Sequence, residues 1–260
     1  MLTRRRMLAG AAGLAAMPGA TMAQETRSLR MMAADKGILF GCATATFHYQ
    51  QPDVVRALQR DAAILVPEYE MKREEIEAQR GRPDFRALDA IFAFARANAM
   101  AVRGHPLVWY AANPPWLEAA LAERRDETLL TGYVGAMMRR YRGRLHSVDV
   151  VNEAILEDGS ALRPSVWLKA FGPRHIDMAF HACKEADPAA LRVYNDFGCE
   201  QGALHNDRFR AATLRLLDGL IARGAPVQGL GLQAHLTPFG NRVDQRKLRL
   251  FADEVRQRGL

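Results

Sequence analysis

The chain has 260 residues, 49% of them hydrophobic and 25% charged, with a formal net charge of +7. That length supplies one large domain with a substantial core, and the scattered basic residues form no nucleic-acid patch. Three cysteines, Cys42, Cys183 and Cys199, allow at most one disulfide and have no metal-ligand spacing.

The first segment reads as an export signal. Thr3-Arg4-Arg5-Arg6-Met7-Leu8 precedes a short run of Ala, Gly, Leu and Met and a small-residue exit at Ala23. That run is too short to cross a bilayer, and the paired arginines fit the twin-arginine type, with an ordinary secretory signal as the alternative. Residues 1–23 are therefore expected to be a leader, and 24–260 a single domain working in the periplasm or outside the cell. The leader holds three of the seven net charges, which leaves +4. No lipid-attachment cysteine lies near the cut, and no later run of about 18 apolar residues suggests a membrane anchor.

From Gly37 onward, short apolar runs alternate with stretches of helical period. "ILFGCATAT" precedes "PDVVRALQRDAA", and "ILVPEY" precedes "DFRALDAIFAFARANA", where Phe85, Leu88, Ile91, Phe92 and Ala95 share a helical face. "AVRGHPLVW" is followed by a long loop rich in Pro and Trp and then "TLLTGYVGAMMRRYRG". "LHSVDVVNE" leads to "HIDMAFHACKEA", "LRVYNDF" to "NDRFRAATLRLLDGLIARG", and "VQGLGLQAHL" to "DQRKLRLFADEVRQRG". Six βα units without a composition break predict an all-parallel sheet covered by helices. A doubly wound sheet and a (β/α)8 barrel both fit. No Gly-rich phosphate turn follows any strand, while polar residues gather at strand C-terminal ends: Glu68, His105, Glu153, Asn195, Asp196, Gln233 and His235. That favours the α/β TIM-barrel type, whose site lies on that rim, although six units stand where a barrel has eight.

Five of these segments carry a resemblance. "PEYEMK" (67–72), "RGHPLVW" (103–109), "DVVNEA" (149–154), "YNDFGCE" (194–200) and "GLGLQAHL" (229–236) resemble, in order, rim motifs of glycoside hydrolase family 10, the endo-β-1,4-xylanases. The likeness runs from about Ile38 to Leu260. It implies a retaining glycosidase, which needs two carboxyls about 5–5.5 Å apart. Glu153 would be the acid/base, a role that calls for a carboxyl able to hold its proton, as apolar surroundings and a nearby like charge favour. Asn152 would hold the sugar 2-hydroxyl, His105 the sugar at the cleavage point, and Trp109 its face. Glu68 and Lys72 would bind the next sugar, and Gln233 and His235 would flank the nucleophile. Trp116, after Pro114-Pro115, packs the loop or meets sugar with equal expectation. No metal or cofactor is implied, and the partner is a polysaccharide or oligosaccharide.

The sequence also departs from the family pattern. Tyr69 stands where the family has Asn, Tyr110 where it has His, and Ala112 where it has Gln. Nothing after His235 resembles the family's T-E-L-D-like seventh strand, so no nucleophile is expected among these residues. The expectation is a shortened barrel with an open edge prone to self-association. The alternative to an active enzyme is an inactive remnant that binds xylo-oligosaccharides.

Overall fold

The computed structural model describes residues 27–236 and 242–260, so the expected leader over 1–23 lies outside the described residues. A short helix α1 (Leu29–Ala34) precedes the first unit, β1 (Gly41–Thr44), a 3-10 turn (Thr46–Gln50) and α2 (Pro52–Asp61). The second unit is β2 (Ile64–Pro67), α3 (Arg73–Ile76) and α4 (Arg86–Ala97). The third has β3 (Ala101–Gly104), β4 (Val108–Trp109), α5 (Pro115–Glu123) and α6 (Thr128–Arg140). The fourth comprises β5 (Ser147–Asn152), α7 (Val166–Phe171) and α8 (Arg174–Ala186). Then come β6 (Leu191–Asp196) with α9 (Leu204–Ala222), and β7 (Gly229–Leu232) with α10 (Gln245–Gln257).

The six expected units are all present. Helix α5 was expected as loop because of its prolines, but Pro114 is the N-cap and Pro115 the first helical residue. Proline suits that position, since its missing N–H would have no helical partner there. The short helices α3 and α7 lack enough turns to show a period in sequence. Helix α4 buries Leu88, Ile91, Phe92 and Ala95, as its spacing requires, while Phe85 becomes a half-buried N-cap.

All strand pairings of the sheet are parallel, in the order β1-β2-β3-β5-β6-β7, with β4 pairing β5 off that path. Register decides the rim. Trp109 pairs Asn152, Asn152 pairs Asn195, and Asn195 pairs Gly231, so one row crosses β4, β5, β6 and β7. Strand β5 is buried along its whole length, as a central strand covered on both sides must be. Helix α8 covers the sheet with Ile176, Ala179, Phe180 and Cys183, a 3.6-residue stripe.

This is an open half-barrel. Among the described residues, β1 and β7 each have a strand on one side only. Apolar residues stand exposed beside both edges: Ile38 and Leu39 before β1, and Leu232 and Leu236 at and after β7. All three cysteines are free thiols, so the single disulfide their number allows is not made. Burial pushes Cys183 and Cys199 up to about 12, which makes them inert packing groups.

Phe180 is fully buried. Phe180→Ala is expected to cost about 3–5 kcal/mol by cavity formation. Urea unfolding checks this, and a loss below about 1 kcal/mol would mean that α8 is not packed as described.

Candidate active site

Glu153 follows β5 directly and has φ 55°, a left-handed conformation that costs a non-glycine residue roughly 1–2 kcal/mol. Backbone bonds offset that strain. Its N–H donates to Asn195 O at 2.9 Å, and its carbonyl accepts from Arg163 Nε at 3.2 Å. The bend turns the carboxyl toward two donors. Trp109 Nε1 donates to Oε2 at 2.9 Å and Gln233 Nε2 to Oε1 at 3.0 Å. Glu153 is only 7% exposed.

Asn152 sits beside it, at the centre of the register row. Its Oδ1 accepts from Asn195 Nδ2 at 2.8 Å and Gln233 Nε2 at 3.1 Å, which fixes the amide's orientation. Its Nδ2 is buried with no partner among the described residues. A buried donor without an acceptor costs about 1–3 kcal/mol until a ligand or water supplies one. The row continues through Arg103, whose Nη2 donates to Asn195 Oδ1 at 3.1 Å and to Asp149 Oδ1 at 2.6 Å. The other oxygen of Asp149 meets His105 Nδ1 at 2.8 Å. Because the carboxylate only accepts there, Nδ1 carries the proton and Nε2 of His105 is left to other partners. Gly231 makes room for this chain: a Cβ on it would lie 2.1 Å from Asn195 Oδ1 and 2.5 Å from Arg103 Nη2.

On the β7 side, His235 Nε2 lies 2.8 Å from Gln233 Oε1. Both amide hydrogens of Gln233 face acceptors, so Oε1 takes the His235 proton. On the β2 side, Lys72 Nζ lies 4.8 Å from the Tyr69 ring centre and 5.5 Å from that of Trp109. No ion pair joins Lys72 to Glu68 among the described residues, so the simple charged pair that their spacing allows is not made. Trp116 packs the loop: its indole N–H donates to Glu77 O at 2.8 Å, and Arg73 and Arg80 lie over its ring.

Fold, rim and motif order now stand together, and comparison with known proteins decides the family. The pattern of Glycosyl hydrolase family 10 matches residues 28–255. The chain belongs to family 10. Endo-1,4-beta-xylanase B of Thermotoga neapolitana is 32% identical over 232 residues, which are 86% of this chain and 65% of that protein. Endo-1,4-beta-xylanase 3 of Hypocrea jecorina is 30% identical over 225 residues, 84% of this chain and 62% of that protein. The chain thus spans somewhat less than two thirds of those two relatives. Among solved structures, native xylanase 10B of Thermotoga maritima superposes with a TM-score of 0.80 at 31% identity, over 90% of this chain and 71% of that one. Xylanase 10B of Thermotoga petrophila, in complex with xylobiose, gives 0.81 at 30% identity, over 91% and 71%.

Within this family 10 rim, the sequence reading named Glu153, Asn152, Gln233, His235, His105, Trp109, Lys72 and Glu68. The structure brings the first six into one network with Arg103, Asp149 and Asn195. Trp109 takes part through its indole N–H as well as its ring, a role the sequence did not suggest. Arg103 and Asp149 were also missed as site residues. Their signal was a charged residue inside each of two apolar strands, which an ordinary core does not place there.

Two further carboxylates lie on the rim, and neither is free to attack a sugar. Glu200 is buried and accepts from Gly198 N–H at 3.0 Å and Ala234 N–H at 2.7 Å. Asp196 is fully buried, accepting from the Tyr194 hydroxyl and from Phe197 N–H at 2.9 Å. Burial raises the Asp196 carboxyl to about 7; its two hydrogen bonds oppose the rise and the Glu153 charge adds to it. Below its ordinary 3.8 the group is protonated folded and unfolded, and so has no effect on stability. As pH climbs through the window from 3.8 to about 7 the unfolded chain ionises first, so stability falls by up to about 4 kcal/mol and stays lowered above it.

Asp196→Asn is expected to flatten this decline. Urea midpoints for both chains between pH 4 and 8 check it, and parallel losses would show that Asp196 is not the source. Gly231→Ala is expected to break the Arg103–Asn195 bond and to destabilise the fold by about 1–3 kcal/mol, read as a lowered urea midpoint.

Proposed function

We propose that this chain serves xylan breakdown as an endo-1,4-β-xylanase-type retaining glycoside hydrolase, with Glu153 as its acid/base. The observation that carries this reading is the Asn152–Glu153 corner. A buried carboxyl held by Trp109 and Gln233 stands beside a buried amide donor that lacks an acceptor. A sugar hydroxyl supplies the acceptor for Asn152 Nδ2, and the neighbouring glycosidic oxygen takes its proton from Glu153. His105, oriented by Asp149, offers Nε2 to the same sugar. Trp109 and Tyr69 offer ring faces, and Lys72 adds its donors. Tyr69, Tyr110 and Ala112 alter the groups facing the more distant sugar, so affinity there rests more on rings than on amides.

In the retaining mechanism a second carboxylate attacks the anomeric carbon. Among the described residues Glu200 and Asp196 are committed to backbone or buried partners, which favours a second reading. In it, these six units bind xylo-oligosaccharides and do not cleave them. We also propose export through the twin-arginine-type leader, and self-association across the exposed apolar residues at β1 and β7.

Xylotetraose binding by calorimetry and reducing-sugar release from xylan, each with Glu153→Gln beside the parent, test the reading. Release that falls by at least about a thousandfold in the variant supports the enzyme. Binding without release supports the binding module, and a folded chain that neither binds nor cleaves rejects both.

A further inference from the structure

Two consecutive residues of β6, Tyr194 and Asn195, hold the last residue of β5 and the two that follow it. Asn195 Nδ2 donates to Asn152 Oδ1 at 2.8 Å, the Glu153 N–H donates to Asn195 O at 2.9 Å, and the Ala154 N–H donates to the Tyr194 hydroxyl at 3.2 Å. The last bond is unusual, because a ring hydroxyl stands where a strand would offer a carbonyl. Tyr194 is fully buried, and burial raises its hydroxyl well above the ordinary range, so it carries one hydrogen. A backbone N–H can only give. Where Asp196 is ionised, above about pH 7, the single hydroxyl hydrogen therefore goes to Asp196 Oδ2, which leaves a lone pair for Ala154. Asp196 Oδ1 is held by Phe197 N–H, so the carboxyl cannot turn away. The other charged groups acting on Asp196 are Glu153 and Arg163, and Arg163 itself holds the Glu153 carbonyl.

We propose that Tyr194 and Asp196 are positioning residues for Glu153. Their hydrogen-bonded pair fixes the Ala154 amide, and with it the left-handed turn that carries the Glu153 carboxyl to Trp109 and Gln233. The proposal rests on the acid/base reading of Glu153 for its functional meaning, but the clamp itself is measured without any sugar. It also accounts for a buried aspartate that forms no ion pair among the described residues. The aspartate keeps a hydroxyl rotor in one orientation, and a rotor left free would lose the Ala154 bond part of the time.

Amide hydrogen exchange on the parent chain, at about pH 8 where Asp196 is ionised, is the first arm. The Ala154 amide should exchange as slowly as those inside β5, and free exchange would overturn the proposal. Tyr194→Phe, which keeps the ring and removes the hydroxyl, should speed Ala154 exchange at least about tenfold relative to β5. It should also move the Glu153 carboxyl carbon resonance, assigned by its loss in Glu153→Gln. A hydroxyl that merely supports the core would lower the melting temperature and leave that resonance in place, which would overturn the proposal. Asp196→Asn keeps an acceptor for the hydroxyl and should retain most of the protection, whereas Asp196→Ala should lose it; equal exchange in the two would remove Asp196 from the clamp. Xylotetraose binding is scored separately. A clamp seen in a chain that does not bind leaves the positioning intact and removes the proposed function, and binding with no clamp does the reverse.

Discussion

The site depends on the Oδ1 atom of Asn152, which takes one hydrogen from Asn195 and another from Gln233. Those two bonds tie β5 to β6 and to the end of β7 at the height where β4 also pairs with Asn152. Because the amide gives up its oxygen entirely, its donor is left over in a buried place. A buried donor left so costs stability unless a ligand or water meets it. The same constraint orders the neighbours: Gln233, held by Asn152, reaches Glu153, and Asn195, held by Asn152, accepts from Arg103.

Strain and support are paired at the next residue. Glu153 leaves the strand in a conformation that disfavours a side chain, and three neighbouring groups, Asn195 O, Arg163 Nε and Tyr194 Oη, hold the turn. Such strain persists only where the surroundings over-determine it. The half-barrel supplies those surroundings from β4 to β7, so the Asn152–Glu153 corner is built although the sheet is open. What the open sheet leaves exposed is different in kind: apolar residues beside its two edge strands, β1 and β7.

Much of this was legible in the residues. Alternating apolar runs and helical stripes gave all six units, because buried parallel strands and one-sided helices impose those periods whatever the family. Helix α5 was not legible, since proline marks both loops and helix starts and only the chain's path separates them. Glu153, Asn152, Gln233, His235, His105 and Trp109 were named from motif order, and they converge. Their bonding was not legible. Nothing in "RGHPLVW" says that Arg103 and His105 share one aspartate from another strand. Nor does "YNDF" say that Tyr194 braces a neighbouring strand.

The sequence by itself determined the parallel α/β architecture, the rim as the place of chemistry and the residue types gathered there. Each of these follows from local period or from strand ends, information that lies along the chain. Only the tertiary structure decided which carboxylates are available. Asp196 and Glu200 look as accessible as Glu153 in the sequence, yet one is tied to Tyr194 and the other to two backbone amides. Register across four strands sets those partners, and register is a relation between segments that no single segment contains.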